Sequence, residues 1–199
     1  MTLDRPLVLG LGGTGRPGSS SERALRLALA AAQRAGARVE LLGAARLALP
    51  MYAPEDPHRT GDAQRLVALA AAADGVVIAT PGYHGGPSGL VKNALDYLED
   101  LRADPRPYLD GRAVGCIVSA AGAQAAVTTL SALRSVVHAL RGWPTPLGVT
   151  IDSLVTRDGV PPVEEAAPRL ELLGRQVAEF ALLQRTRTRP GVLLPLLSE

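Results

Sequence analysis

The chain has a single cysteine, Cys116, among 199 residues. That excludes an internal disulfide and fits a reducing compartment. Lysine is almost absent: of 21 basic residues only Lys92 is a lysine, and the arginines are scattered. Net charge is +2 and aromatic content 3%, so there is no basic stripe with interleaved aromatic rings to stack on nucleic acid. No apolar run reaches the roughly 18–20 residues of a membrane span. The opening MTLDRPLVLG lacks the basic segment, long apolar stretch and cleavage site of a signal peptide. A cytoplasmic protein is expected. His58, His84 and His138 show no metal-ligand spacing, so no metal site is expected.

What is present is an alternation of apolar runs and helical patterns, the mark of a parallel α/β sheet covered on both faces. Strands are expected at Leu7–Leu11, Arg38–Leu42, Gly75–Thr80, Arg112–Ser119 and Leu147–Ile151. Helices are expected at Ser21–Ala35, Asp62–Ala73, Ser88–Leu101, Thr128–Leu140 and Glu164–Gln184. Pro50, Pro54 and Pro57 make residues 47–61 a loop. This pattern predicts a doubly wound, five-stranded flavodoxin-like sheet of order 2-1-3-4-5. It would form a single domain over residues 1–185, with a tail at 186–199 that is either a packing arm or disordered. In such a sheet the ligand belongs at the carboxyl ends of strands one, three and four.

The first of these loops contains Gly10-Leu11-Gly12-Gly13-Thr14-Gly15, which fits the G-x-G-x-x-G dinucleotide pattern. Arg16-Pro17-Gly18 follow at once, so the chain continues as a loop instead of entering a helix. The second strand also ends in Leu41-Leu42-Gly43, with no acidic residue for ribose hydroxyls. A Rossmann dehydrogenase is therefore rejected. Thr14, Ser19, Ser20 and Ser21 instead offer hydroxyls, and Arg16, expected to be buried in this loop, offers a charged fork beside a helix amino terminus. That donor set suits a phosphate dianion. The plainer alternative is that Ser19–Ser21 only cap the helix.

The second loop, Thr80-Pro81-Gly82-Tyr83-His84-Gly85-Gly86-Pro87-Ser88-Gly89, follows the most apolar strand. Its glycines suit close approach of backbone to a flat ligand. Tyr83 and His84 stand either beside that ligand or as a packing aromatic and a solvated histidine.

The segment TPGYHGGPSGLVKNALDYL, Thr80–Leu98, resembles the flavin loop of the NAD(P)H-dependent FMN reductase family, whose usual pattern is T-P-E-Y-N-G-x-x-P/S-G-x-L-K-N-A-L-D-W/Y. Residues 13–21 resemble that family's G-S-x-R-x-x-S-x-N phosphate loop. The resemblance implies that Thr14, Arg16, Ser19, Ser20 and Ser21 hold the FMN phosphate. It implies that Pro81, Gly82, Tyr83, His84 and Gly85 line the isoalloxazine, and that Ser119 and Gly122 approach its pyrimidine side. Gly82 replaces the usual glutamate and His84 the usual asparagine. The resemblance also implies hydride transfer from NADPH or NADH through FMN to free flavin, a quinone or another small acceptor, with no catalytic side chain in the strict sense. It further implies a homodimer or homotetramer, and a flavin-dependent monooxygenase as a possible recipient. Two alternatives are a one-electron carrier of flavodoxin type and a flavin binder recruited to a biosynthetic step. Lys92 is expected either to pair with Asp96 four residues on or to meet a partner across an interface, Cys116 to be inert core, and Trp143 to pack a turn or stand at the flavin rim.

Overall fold

The computed structural model describes residues 5–187, apart from residues 15, 17, 157 and 158. Most of the tail expected at 186–199 therefore lies outside the described residues, while the last helix runs on to Arg187. β1 (Leu7–Gly12) lies between β2 (Arg38–Leu42) and β3 (Gly75–Tyr83), and β3 pairs on its other side with β5 (Ala113–Ala120), all parallel. The fifth position is shared by β6 (Trp143–Pro144) and β7 (Val149–Asp152), both parallel to β5. The order β2-β1-β3-β5-β6/β7, counted over the five parallel positions of the sheet, is the expected flavodoxin-like 2-1-3-4-5.

That last strand was expected to run unbroken from Leu147. Instead it starts at Trp143 and is interrupted between Pro144 and Val149, because Pro144 and Pro146 carry no N–H to give to β5. Trp143 pairs with Ala113 at the amino end of β5, opposite the ligand end, and its ring lies 6.0 Å from Phe180. The flavin-rim alternative for Trp143 is thereby excluded.

Successive residues along the central strands point to opposite, fully apolar faces. Leu9, Leu11, Val76, Ile78, Val114 and Cys116 pack on one side, under α3 (Gly61–Ala72), α4 (Gly89–Asp96) and α5 (Ala123–Ala139). Val8, Val77, Ala79 and Ile117 pack on the other, under α1 (Ser20–Arg34) and α7 (Ala167–Arg187). Burial on both faces explains why the strands read as continuous apolar runs. Cys116 is buried, and burial pushes its thiol pKa up to about 12. Short helices α2 (Ala44–Leu47) and α6 (Pro162–Glu165) were not anticipated.

The helix expected over Ser88–Leu101 stops at Asp96 and tightens into a 3₁₀ turn, Tyr97–Leu101. This stretch fastens the proline-rich loop. The Asn93 amide donates to the carbonyls of Leu49 and Pro50 and accepts from Tyr52 N–H, while the Tyr97 hydroxyl donates to Pro50 O. Arg59 bonds both carboxylate oxygens of Asp100, at 2.7 and 2.9 Å, and lies over the rings of Tyr52 and Tyr97. The Arg59 guanidinium holds the Asp100 carboxyl below its ordinary pKa. The Lys92–Asp96 pair is formed, at 2.5 Å.

Candidate functional site

The first loop leaves β1 through Gly12 and Gly13. Gly12 has φ +145°, and a Cβ there would sit 1.9 Å from Ala79 O, so only glycine lets β1 and β3 approach this closely before diverging. The Gly13 N–H then donates to Ala79 O at 3.2 Å. Thr14 Oγ1 accepts from Arg16 N–H at 3.2 Å, which folds the loop back. Ser19 caps α1 by accepting from Glu22 N–H, and its hydroxyl lies 3.3 Å from that of Ser21. The capping role foreseen for this serine run is thus real for Ser19. Arg16 is exposed, not buried as expected, and none of its guanidinium nitrogens is hydrogen-bonded or ion-paired among the described residues. Helix α1 begins only at Ser20, in keeping with the rejection of the Rossmann pattern.

The second loop is a hairpin. β3 runs on through Pro81 and Gly82 to Tyr83 and turns back antiparallel on β4 (Gly86–Pro87), with Gly82 opposite Pro87 and Tyr83 opposite Gly86. His84 at φ +51° and Gly85 at φ +85° make the turn. The base is closed by Thr80 Oγ1, which accepts from Ser88 N–H at 2.9 Å. Gly82 is pressed from behind: a Cβ there would lie 2.8 Å from Thr129 Oγ1 and 2.9 Å from Ala120 Cβ. The space behind Gly82 is therefore taken by Thr129 of α5 and Ala120 of β5.

The third loop, at the end of β5, is held by the loop after β7. Asp152 Oδ1 accepts from the N–H groups of Gly122 and Leu154, each at 3.0 Å. Ser153 donates to Ala120 O from both its backbone N–H, at 2.8 Å, and its hydroxyl, at 3.1 Å. Helix α5 has no side-chain cap of its own at Gly122, and Asp152 fills that role from another strand. A cap supplied from thirty residues away leaves no local sequence signal, and neither Asp152 nor Ser153 was picked out beforehand.

These loops enclose an open cleft of about 250 Å³ at the carboxyl end of the sheet. Of the expected residues, Thr14, Arg16, Ser19, Ser20, Ser21, Pro81, Gly82, Tyr83 and Ser119 line it, joined by Ala120, Ala121 and Ser153. His84, Gly85 and Gly122 do not. His84 is exposed at the hairpin tip, a Cβ at Gly85 would face Thr128, and the Gly122 N–H is committed to Asp152. Among the described residues Arg16 is the one charged side chain in the wall. The cleft thus offers hydroxyls, a helix amino terminus and a guanidinium at one end, and apolar backbone-rich walls with Tyr83 at the other. A molecule with a phosphate dianion at one end and a flat ring at the other fits this donor set. Among the described residues no group of acidic, histidine or cysteine side chains is arranged to hold a metal ion.

Residues 6–154 match the family described as NADPH-dependent FMN reductase. The chain belongs to this family. The matched stretch carries all three loops of the cleft. Among relatives of this FMN reductase-family chain is the NADPH azoreductase of Bacillus sp. (strain OY1-2), 33% identical over 112 residues, which are 56% of this chain and 60% of that protein. The FMN-dependent NADPH-azoreductase of Staphylococcus aureus is 39% identical over 77 residues, 39% of this chain and 37% of that one. The matched stretches thus span 60% and 37% of the length of these relatives. The flavoenzyme NAD(P)H:(acceptor) oxidoreductase FerB of Paracoccus denitrificans superposes with a TM-score of 0.67 at 18% identity, over 90% of this chain and 98% of that one. At that identity the likeness shows the fold alone.

Proposed function

We propose that this chain binds FMN in the cleft and acts as an NAD(P)H-dependent reductase, passing electrons from NADPH or NADH to free flavin, a quinone or an azo compound. The observation that carries this is the meeting of the two family-type loops in one cleft whose only charged wall residue, among the described residues, is Arg16. In this reading Thr14, Arg16, Ser19, Ser20 and Ser21 receive the phosphate, and Pro81, Gly82, Tyr83 and Ser119 border the ring. The names of the Bacillus and Staphylococcus relatives support the choice of donor and the azo acceptor.

Bound FMN supplies hydride acceptance and return. The chain's own residues bind and orient. Arg16 places a fixed positive charge against the phosphate, and the α1 amino terminus adds its dipole. Gly12 lets β1 close on Ala79 of β3, and Gly82 seats the hairpin against Thr129 and Ala120, which together set the positions of the first two cleft loops. Asp152 and Ser153 fix the third loop so that Ala120 and Ala121 keep their place in the wall. Among the described residues no histidine, carboxylate or lysine lines the cleft; in this reading the chain contributes orientation and no side-chain acid or base to the hydride step. The Gly122 N–H, already given to Asp152, is not available to stabilise charge on the ring.

In the same proposal residues 1–185 act as one domain in the cytoplasm, as a homodimer or homotetramer. Tyr83, Val127 and Leu154 are exposed, lie toward the cleft end of the sheet, and form apolar surface that a second copy would cover. A flavin-dependent monooxygenase is a recipient if free reduced flavin is the product. The test is oxidation of NADPH and NADH by the purified chain, with and without FMN, and with menadione or an azo dye as acceptor. FMN-dependent oxidation is expected. Tight FMN binding without oxidation would move the function to a carrier or a recruited pathway protein.

A further inference from the structure

Asp152, the last residue of β7, stands beside the cleft and not in it. It is paired in register with Ala120, a wall residue on the neighbouring strand, and neighbouring strands lie about 5 Å apart. Its Oδ1 accepts from Gly122 N–H and Leu154 N–H, each at 3.0 Å. Ala121, next to Gly122, and Ser153, next to Leu154, both line the cleft. Gly122 is also the cap position of α5, a helix of 17 residues with no side-chain cap of its own. The carboxylate therefore sits on the positive end of that helix, where a negative charge is stabilised. A cavity of about 200 Å³ opens behind it, with Glu165 and Arg169, of opposite sign, in its wall. Among the described residues Asp152 makes no salt bridge with Arg169.

We propose that Asp152 is a positioning residue with a second, electrostatic role: its charge lowers the reduction potential of FMN held in the cleft. The proposal rests on the FMN reading above. Accepting hydride adds two electrons and one proton, so the ring gains one negative charge as the nicotinamide is oxidised. Two features of this site oppose that added charge. The carboxylate is itself negative and stands one strand spacing from the wall, where like charges repel. It also occupies the α5 amino terminus, so the Gly122 N–H and the helix dipole are directed at Asp152 instead of the ring. Arg16 does not cancel this effect, because it faces the phosphate, whose charge is the same before and after hydride transfer. The reduced ring is thus destabilised relative to the oxidised one, which makes it a stronger donor to the acceptor that follows.

The test compares the FMN-loaded chain with its Asp152→Asn variant by potentiometric dye titration and by fluorescence titration with oxidised FMN. The amide oxygen of asparagine can accept from the same two N–H groups, so the loop is kept and only the charge is removed. Oxidised-FMN affinity should be nearly unchanged. Affinity for reduced over oxidised FMN should rise about tenfold, an upward shift of about 30 mV for a two-electron couple. Asp152→Ser, a neutral cap of another shape, should move the potential in the same direction. Glu99→Gln, which removes a charge from the 3₁₀ turn, should not move it. Asp152→Ala, with no cap at all, should instead weaken oxidised FMN by loosening Ala120 and Ala121. An unchanged or lowered potential in a folded neutral-cap variant overturns the proposal and leaves the reductase standing. A loss of oxidised-FMN affinity in Asp152→Asn as large as in Asp152→Ala also overturns it, by placing the effect in the loop and not in the charge. A parent chain that binds no FMN would remove the reductase reading together with this one.

Discussion

Replacing Gly82 by alanine places a methyl group between the β3 hairpin and helix α5. The new Cβ would lie 2.8 Å from Thr129 Oγ1, 2.9 Å from Ala120 Cβ and 3.3 Å from Thr129 Cβ. Thr129 can turn its hydroxyl aside, but Ala120 has no rotamer to change, so β5 or the hairpin must shift. Overpacking of this kind costs about 1–3 kcal/mol. Thr129 Oγ1 is itself buried without a hydrogen-bond partner, so Thr129→Ala removes an unsatisfied group as well as one clash. The pair should therefore be strongly non-additive. Gly82→Ala/Thr129→Ala should recover roughly 1 kcal/mol relative to the sum of the single changes. Urea unfolding of the four proteins of the cycle measures this directly, and FMN titration follows the cleft wall at the same time. Gly82→Ala as stable as the parent, or a cycle that closes additively, would refute the tight seating of α5 behind the hairpin.

Arg16→Ala should weaken FMN binding by about 1.5–3 kcal/mol, the value of a charge-assisted contact. Arg23→Ala, on the helix that follows this loop and paired with Glu164, should leave the affinity nearly unchanged in the same fluorescence titration. Arg112 is fully buried and donates to the carbonyls of Ala71, Ala73, Tyr108 and Asp110, and burial pushes its pKa down to about 10. Arg112→Met would leave these acceptors unpaired and should cost about 3 kcal/mol or more by urea unfolding. The pKa of Asp100 is lowered by its hydrogen bonds from Arg59, and that of Glu22 by its hydrogen bond from Arg26. A carboxylate with a depressed folded pKa adds stability above its unfolded value, near 4, that is lost as pH falls through the folded value. Melting temperature should therefore fall below about pH 4, and Asp100→Asn should flatten that fall.

The central strands were legible because each is buried on both faces, which leaves runs such as Gly75–Thr80 apolar without alternation. The first loop's place at the carboxyl end of β1, and Ser19 as the cap of α1, were legible from the glycine and serine run after an apolar strand, whereas the exposure of Arg16 was not. The contacts that hold the site in shape were not legible. Asp152 bonds Gly122 across thirty residues, and Asn93 reaches back to Leu49 and Pro50; neither partner is a sequence neighbour. His84 was read as part of the ring site from its place in the loop. The hairpin turn instead puts it at the tip, a conformation set by the closure of Thr80 on Ser88. Gly82 carries the clearest lesson, since its reason is not in the loop at all but in Thr129 on the helix behind it.

The most direct test of the account is a comparison of FMN with riboflavin, which lacks the phosphate, by fluorescence titration of the purified chain. One FMN should bind per chain, and riboflavin should bind at least about 100-fold more weakly, as the loss of several charge-assisted contacts requires. Equal affinity for the two flavins would contradict the assignment of the first loop and Arg16 to the phosphate.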